Sequence, residues 1–303
     1  MENILIRADS SNEIGTGHIM RTLVLANQFK KSNIYFATRD LKNNINHKIL
    51  EQDFDIVRLK SKKSKELIKH IHSLKIDMLV IDHYDIDYSF EKKIKKETGA
   101  EIFVLDDNFN KHFCDIILNH NIYAKKEQYY NLVPKNCKIM CGPEFTLLRN
   151  EFYELKNVVK KSNNDKFKKV LITMGGADSR NLSIRIVEIL KDFKNIFFTI
   201  VSTRANKNIN ELKKYSKKNN RTVELIIETD KIAELMQSSD IIICTPSVTV
   251  NECYYLDISF IAIKTEDNQR YMTEFLMKKG YNVLESIDNQ KLKEKFSKII
   301  STK

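Results

Sequence analysis

The chain has 303 residues, more than one hydrophobic core usually serves, so about two domains are expected. With 42% hydrophobic residues it is globular rather than disordered, and no apolar run approaches the roughly 20 residues of a membrane helix. The net charge of +11 is mostly dispersed lysine (Lys62-Lys63, Lys92-Lys93, Lys160-Lys161, Lys213-Lys214) with few interleaved aromatics, which argues for a solvated basic surface and against a nucleic-acid partner.

The first strand-like run, residues 4–7, begins almost at the N-terminus and leaves no room for a signal peptide, so a cytoplasmic protein is expected. It leads into Gly15-Thr16-Gly17-His18-Ile19-Met20-Arg21, which opens a helix with Ile19, Leu23, Ala26 and Phe29 on one face. The chain has only seven glycines, and two of them flank Thr16 just before its first histidine. Glycines at a strand-to-helix turn let backbone approach a ligand, and a helix start offers N–H groups to an anion. A histidine there can exchange a proton near neutral pH, although capping and surface roles are common for such a residue.

Further strand-like runs fall at residues 34–37, 56–59, 78–81, 102–105 and 116–118, separated by helical patterns. This alternation predicts a parallel sheet covered on both faces. A helix is expected over 151–159, followed by the polar run 160–166, the best linker candidate. A second alternation has strands at 170–174, 197–201, 223–227, 241–244 and 260–263, and closes with a helix around 292–300. The expected organisation is α/β: two doubly wound Rossmann-like domains facing a ligand cleft. The first spans 1–150, the linker 151–166 and the second 167–303, its last helix a candidate for crossing back to the first domain. In such sheets ligands bind beyond the carboxyl ends of the strands.

The second half repeats the glycine turn at Met174-Gly175-Gly176-Ala177-Asp178, before a helix starting near Asn181. Paired glycines there suit a phosphate cradle, or equally a tight strand-to-helix turn. Thr245-Pro246-Ser247-Val248-Thr249-Val250-Asn251-Glu252 follows the 241–244 run. Small hydroxyl residues and a proline at a helix start leave N–H groups for a pyrophosphate, and Glu252 is placed to take both hydroxyls of a ribose. Ordinary capping is the alternative, with Glu252 favoured only by the helix dipole.

Asp82-His83-Tyr84-Asp85, Asp106-Asp107-Asn108 and Asn119-His120-Asn121 are short polar segments at strand ends, without the ligand spacing of a metal site. The five cysteines (Cys114, Cys137, Cys141, Cys244, Cys253) form no Cys-x-x-Cys pair and read as free thiols. Gly-x-Ser-x-Gly is absent, and Ser247 has no base near it in sequence.

Taken in order, Arg7-Ala8-Asp9-Ser10-Ser11 running into Ile14-Gly15-Thr16-Gly17-His18, then Ile81-Asp82-His83-Tyr84, Met174-Gly175-Gly176-Ala177-Asp178, Asn181-Leu182-Ser183, Asn251-Glu252 and Lys278-Lys279-Gly280-Tyr281 cover nearly the whole chain. Together they resemble the pseudaminic acid pathway hydrolases that cleave UDP-2,4-diacetamido-2,4,6-trideoxy-β-L-altropyranose. That family is similar to the two-domain GT-B nucleotide-sugar transferases, above all the lipid II-forming N-acetylglucosaminyltransferase. The resemblance implies water attacking the anomeric carbon with inversion and loss of UDP, yielding a free sugar for nonulosonic acid synthesis and flagellin glycosylation. It implies His18 as general base, Tyr84 and Asn251 near the sugar, and the backbone at Gly175-Gly176 and Ser247-Val248 on the diphosphate. Glu252 would take the ribose, Gly15, Gly17 and Arg21 of the catalytic loop would bind the substrate, and Asn268-Gln269 would reach toward the sugar. Ala177 stands where the family often has a hydroxyl residue, which leaves a backbone cradle but no side-chain contact. No cofactor and no metal are expected, and the partner is a small UDP-sugar, with neither nucleic acid nor membrane, acting on a monomer. A glycosyltransferase using a UDP-amino sugar donor and a non-catalytic UDP-sugar binder are the competing readings.

Overall fold

The computed structural model describes residues 1–11, 13–156 and 167–301. Its chain separates into two units, Met1–Leu147 and Leu148–Lys303. In the first unit the strands are β1 (Glu2–Ala8), β2 (Ser32–Thr38), β3 (Asp55–Arg58), β4 (Met78–Asp82), β5 (Glu101–Leu105), β6 (Ile116–Asn119) and β7 (Lys138–Cys141). All pair in parallel, in the order β3-β2-β1-β4-β5-β6-β7. The helices between them are α1 (Gly17–Ala26), α2 (His47–Leu50), α3 (Ser64–Ser73) and α4 (Tyr88–Thr98). Every residue of β4 is buried, because helices cover both faces of a parallel sheet and its strands read as continuous apolar runs.

The second unit repeats the plan. It opens with α5 (Asn150–Leu155), and its strands are β8 (Lys168–Thr173), β9 (Ile196–Ser202), β10 (Val223–Ile227), β11 (Ile241–Cys244), β12 (Phe260–Ile263) and β13 (Val283–Leu284). These pair in parallel as β10-β9-β8-β11-β12-β13. The remaining helices are α6 (Leu182–Leu190), α7 (Ile209–Lys218), α8 (Ile232–Ser238), α9 (Val248–Tyr255), α10 (Arg270–Lys278) and α11 (Asn289–Ser301).

Several elements differ from the sequence reading. The edge strands β7 and β13 were not anticipated: β7 has only two apolar residues before Cys141, and β13 is two residues long. Helix α1 stops at Ala26, short of Phe29. The helix expected over 151–159 is α5, which packs against α8 of the second unit, where Gln237 Nε2 donates to Leu155 O at 2.8 Å. Residues 157–159 of that expected helix and the polar run 160–166 lie outside the described residues. Helix α11 packs on α6 within the second unit.

In each sheet the strand order reverses once, between β1 and β4 and between β8 and β11. Connections leave such neighbours in opposite directions and open a crevice at the strands' carboxyl ends. Register places Ala8 beside Asp82 in one sheet and Thr173 beside Cys244 in the other. The glycine turns and the polar segments singled out in the sequence therefore emerge at these two positions.

Candidate active site

In the first unit the chain leaves β1 through a tight turn before α1. Gly15 N donates to Ser11 O at 2.8 Å and Ser11 N donates to Gly15 O at 3.3 Å. Gly15 has φ of +83°, a left-handed conformation that favours glycine. Its N–H is spent inside the turn, so Gly15 shapes the loop and offers no donor to a ligand. Gly17 opens α1, and nothing lies within 4 Å of where a Cβ would stand. A ligand therefore has room over the first turn of the helix.

His18 follows, its side chain 6% exposed, with Nδ1 2.6 Å from Asp82 Oδ1 at the end of β4. A carboxylate only accepts, so Nδ1 carries the proton and the lone pair sits on Nε2. Arg21 Nη2 also lies 3.2 Å from Nδ1. A protonated nitrogen cannot accept, so that approach is a neighbourly contact and the Asp82 bond governs the ring. Burial works against ionisation of Asp82, yet Arg21 and His18 hold its carboxyl well below the usual range.

Arg21 lies one helical turn after His18, and its guanidinium is divided between two carboxylates. Nε and Nη2 donate to Asp82 at 2.6 and 2.5 Å, and Nη1 donates to Asp107 Oδ2 at 2.8 Å. At 7% exposure Arg21 is buried, and these bonds order the site. Tyr84 Oη donates to the same Asp107 oxygen at 3.0 Å, and its ring meets His18 edge-on with centroids 4.6 Å apart. Burial of the phenol and the Asp107 carboxylate push its pKa up, so Tyr84 stays a neutral donor. Its 47% exposure leaves an apolar face beside the imidazole. His120, at the end of β6, is pushed down to about 3 by burial and by Arg21, and is neutral.

A second buried array braces these loops. Asp9 accepts from Arg7 at 2.6 and 2.8 Å, from Arg39 Nε at 2.8 Å, and from His83 Nε2 at 3.1 Å. It ties the ends of β1, β2 and β4 together directly beside Asp82 and Tyr84. Burial opposes its charge, but His83 and Arg7 hold its carboxyl far below the ordinary range.

In the second unit Gly175 has φ of +78°, and a Cβ on Gly176 would come within 3.0 Å of Thr203 Cγ2. Thr203 Oγ1 donates to Gly176 O at 2.8 Å. The start of α6 is closed to an anion, because Asp178 itself caps it, accepting from Leu182 N at 2.8 Å and Ser183 N at 3.0 Å. Ser247 N donates to Thr245 O at 2.8 Å, so Val248 rather than Ser247 carries the first unspent helix position of α9. Gly175, Gly176 and Val248 are what remain of the predicted cradle.

Glu252, on α9, has a side chain 13% exposed, with Arg149 Nη2 at 3.9 Å, and the same nitrogen lies 3.0 Å from Glu151. Burial pushes Glu252 up to about 7 against the pull of Arg149. Asn251 is fully buried in the same helix. Asn268 is exposed, while Gln269 Oε1 accepts from Thr265 N at 2.8 Å and Gln269 Nε2 donates to Thr265 Oγ1 at 3.1 Å. Gln269 thus braces its own turn instead of reaching outward, because its amide finds both partners four residues away. Among the described residues no group of three or more His, Cys, Asp or Glu side chains is placed to hold a metal ion.

The first site therefore assembles His18, Arg21 and Tyr84 around Asp82 and Asp107, two carboxylates to which sequence reasoning gave no role. Both lie just past or at a strand's carboxyl end beside the order reversal, and that placement is the signal that could have found them. No helix among the described residues is long and apolar enough to cross a membrane.

No family model matches the chain. It is 40% identical over 280 residues to the UDP-2,4-diacetamido-2,4,6-trideoxy-beta-L-altropyranose hydrolase of Campylobacter jejuni subsp. jejuni serotype O:2, spanning 92% of this chain and 98% of that protein. It is 25% identical over 276 residues to the spore coat polysaccharide biosynthesis protein SpsG of Bacillus subtilis, covering 87% of this chain and 78% of that one. Among solved structures, MurG of Acinetobacter baumannii superposes with a TM-score of 0.67 at 13% identity, covering 99% of this chain and 91% of the other. A glycosyltransferase from Rickettsia africae gives a TM-score of 0.64 at 13% identity, covering 99% and 88%. These likenesses show the GT-B fold of two Rossmann-like units. By its identity and coverage, the chain belongs to the family of the Campylobacter UDP-2,4-diacetamido-2,4,6-trideoxy-β-L-altropyranose hydrolase.

Proposed function

We propose that this protein hydrolyses a UDP-2,4-diacetamido-2,4,6-trideoxy sugar, the β-L-altropyranose form by family, to UDP and the free sugar. One observation carries this reading. His18 is locked by Asp82 in the tautomer that leaves Nε2 free, at a helix start with open space above Gly17. Nε2 takes a proton from water as the oxygen attacks the anomeric carbon, and the C1–O bond to UDP breaks with inversion. The imidazolium that forms is held by the Asp82 carboxylate, which is ionised throughout. Tyr84 lends its exposed ring face to the sugar and its fixed hydroxyl to the Asp107 circuit.

The leaving diphosphate gathers negative charge as the bond breaks. Backbone N–H groups at Gly175, Gly176 and Val248 stabilise it, and Glu252 accepts from the ribose hydroxyls. A pure binder has no use for a histidine whose tautomer is fixed toward a ligand, which supports turnover over mere retention. The product feeds pseudaminic acid synthesis in the cytoplasm.

The test is incubation of the pure protein with a panel of UDP-diacetamido sugars and no acceptor, with the products read by NMR. Stoichiometric UDP and free sugar of inverted anomeric configuration are expected. Turnover that appears only when a hydroxylated acceptor is added would replace hydrolysis by glycosyl transfer.

A further inference from the structure

A base is only as strong as the charge around it when it becomes a cation. Arg21 carries one positive charge, and its two closest bonds go to Asp82. With Asp82 as sole partner, that pair would be neutral as seen from His18 and would lend the imidazole little basicity. The third bond, from Nη1 to Asp107 Oδ2 at 2.8 Å, brings in a second carboxylate. Arg21, Asp82 and Asp107 together carry one net negative charge beside the ring that turns cationic.

Beyond them lies the Asp9 array, in which Arg7 and Arg39 outweigh the Asp9 carboxylate and His83 Nε2 donates to it; that positive charge is the same with or without Asp107, and the groups nearest the ring add none. Tyr84, after β4, is a neutral donor to Asp107 Oδ2, and His120, after β6, is a neutral imidazole. Asp107 Oδ1 is shielded from solvent and has no hydrogen-bond partner among the described residues. Its negative charge is therefore spent on Arg21 and Tyr84 alone. Those are the side chains that orient Asp82 and lie against the His18 ring, respectively.

We infer that Asp107 is a positioning residue that sets the basicity of His18 through Arg21 and fixes Tyr84 beside it. This inference rests on the reading of His18 as the base. Removing the charge of Asp107 leaves the Arg21–Asp82 pair neutral and the imidazolium less favoured. His18 then stays free of its proton to lower pH but accepts one less readily in the transition state. Two signatures follow that a merely structural role would not produce together. The plateau kcat falls roughly tenfold with KM little changed, while the acid limb of the rate profile moves down by about one pH unit.

The experiment compares Asp107→Asn and Asp107→Glu with the wild type and with His18→Asn. It measures kcat and KM from pH 5 to 9, and the His18 ring protonation by ¹⁵N NMR. Asp107→Asn is expected to show both signatures, and Asp107→Glu to restore most of the rate and the original limb. Asp107→Ser, smaller and also neutral, gives the same test if the asparagine variant does not fold. An unshifted limb and unchanged kcat in a folded neutral variant, with His18→Asn inactive, overturns the role of Asp107 and leaves the base in place. A fully active His18→Asn overturns the base reading itself.

Discussion

His18 Nδ1 lies 2.6 Å from Asp82 Oδ1, although the two residues are 64 positions apart in the chain. The pairing follows from the register of the sheet, which sets Ala8, the last residue of β1, beside Asp82, the last of β4. It also decides which imidazole nitrogen faces the substrate.

Replacing His18 by Asn is expected to lower turnover by roughly 10²–10⁴-fold, the usual loss of a positioned general base. UDP affinity should stay within a factor of about two, because the nucleotide groups named above lie in the second unit. Rate assays paired with calorimetry check both halves. A variant keeping more than half the wild-type rate would remove His18 from the chemistry.

Asp82→Asn should cost a comparable factor while His18 remains in place. An Asn side chain can donate to Nδ1 and favour the tautomer that leaves Nε2 protonated and useless as a base; losing an orienting carboxylate costs up to about 10⁴ in Ser-His-Asp enzymes. Arg21 keeps Asp107 as a partner, so the fold should survive with a lowered melting temperature. Histidine ring NMR reports the tautomer directly, and an unchanged Nδ1 proton would contradict this account.

Glu252 titrates near 7, raised by its burial, so its ability to accept from a ribose diol should grow through the neutral range. Calorimetry with UDP at several pH values between about 6 and 8, on wild type and Glu252→Gln, separates this from titration of the phosphate itself. The difference between the two proteins is expected to widen as pH rises. Parallel curves would move the ribose site elsewhere.

Burial opposes ionisation of His112, yet the Asp106 carboxylate 3.7 Å from Nε2 and Glu91, hydrogen-bonded to Nδ1 at 2.7 Å, raise it to about 9. Its ordinary value is 6.5, so the proton is bound more tightly in the folded state. The stabilisation is complete below about pH 6.5 and is lost as pH climbs through about 9, a loss on the order of 3 kcal/mol. Melting temperatures recorded from pH 6 to 10 should fall in that window, and His112→Asn should flatten the fall. An equal slope in both proteins would refute the assignment.

Turnover is expected to be undiminished in excess chelator, since backbone N–H groups and Val248 at the start of α9 are proposed to take the leaving charge. In ¹⁸O-labelled water the label should appear on the sugar C1 hydroxyl and not in UDP. Label in UDP means attack at phosphorus, in which case Nε2 of His18 does not face the reacting centre.

The alternation of short apolar runs with amphipathic helices by itself determined the fold class. Burial on both faces demands such runs, and the right-handed crossover leaves few ways to connect them. The Gly15–His18 stretch likewise marked its own place, because glycines at a strand end are a local property. Local sequence could not say which partners fold back onto a given group. Asp178 was only the last residue of the glycine turn in the sequence, yet its carboxylate caps α6. Gln269 looked free to reach a sugar, yet both ends of its amide are satisfied by Thr265. Arg21 stood in the sequence only as a residue of the catalytic loop, and the fold makes it the bridge between Asp82 from β4 and Asp107 from beyond β5. Such pairings depend on strand order and register. Those bring residues from distant parts of the chain to one edge of the sheet, where the strongest available charge pairing, rather than the nearest in sequence, is the one that forms.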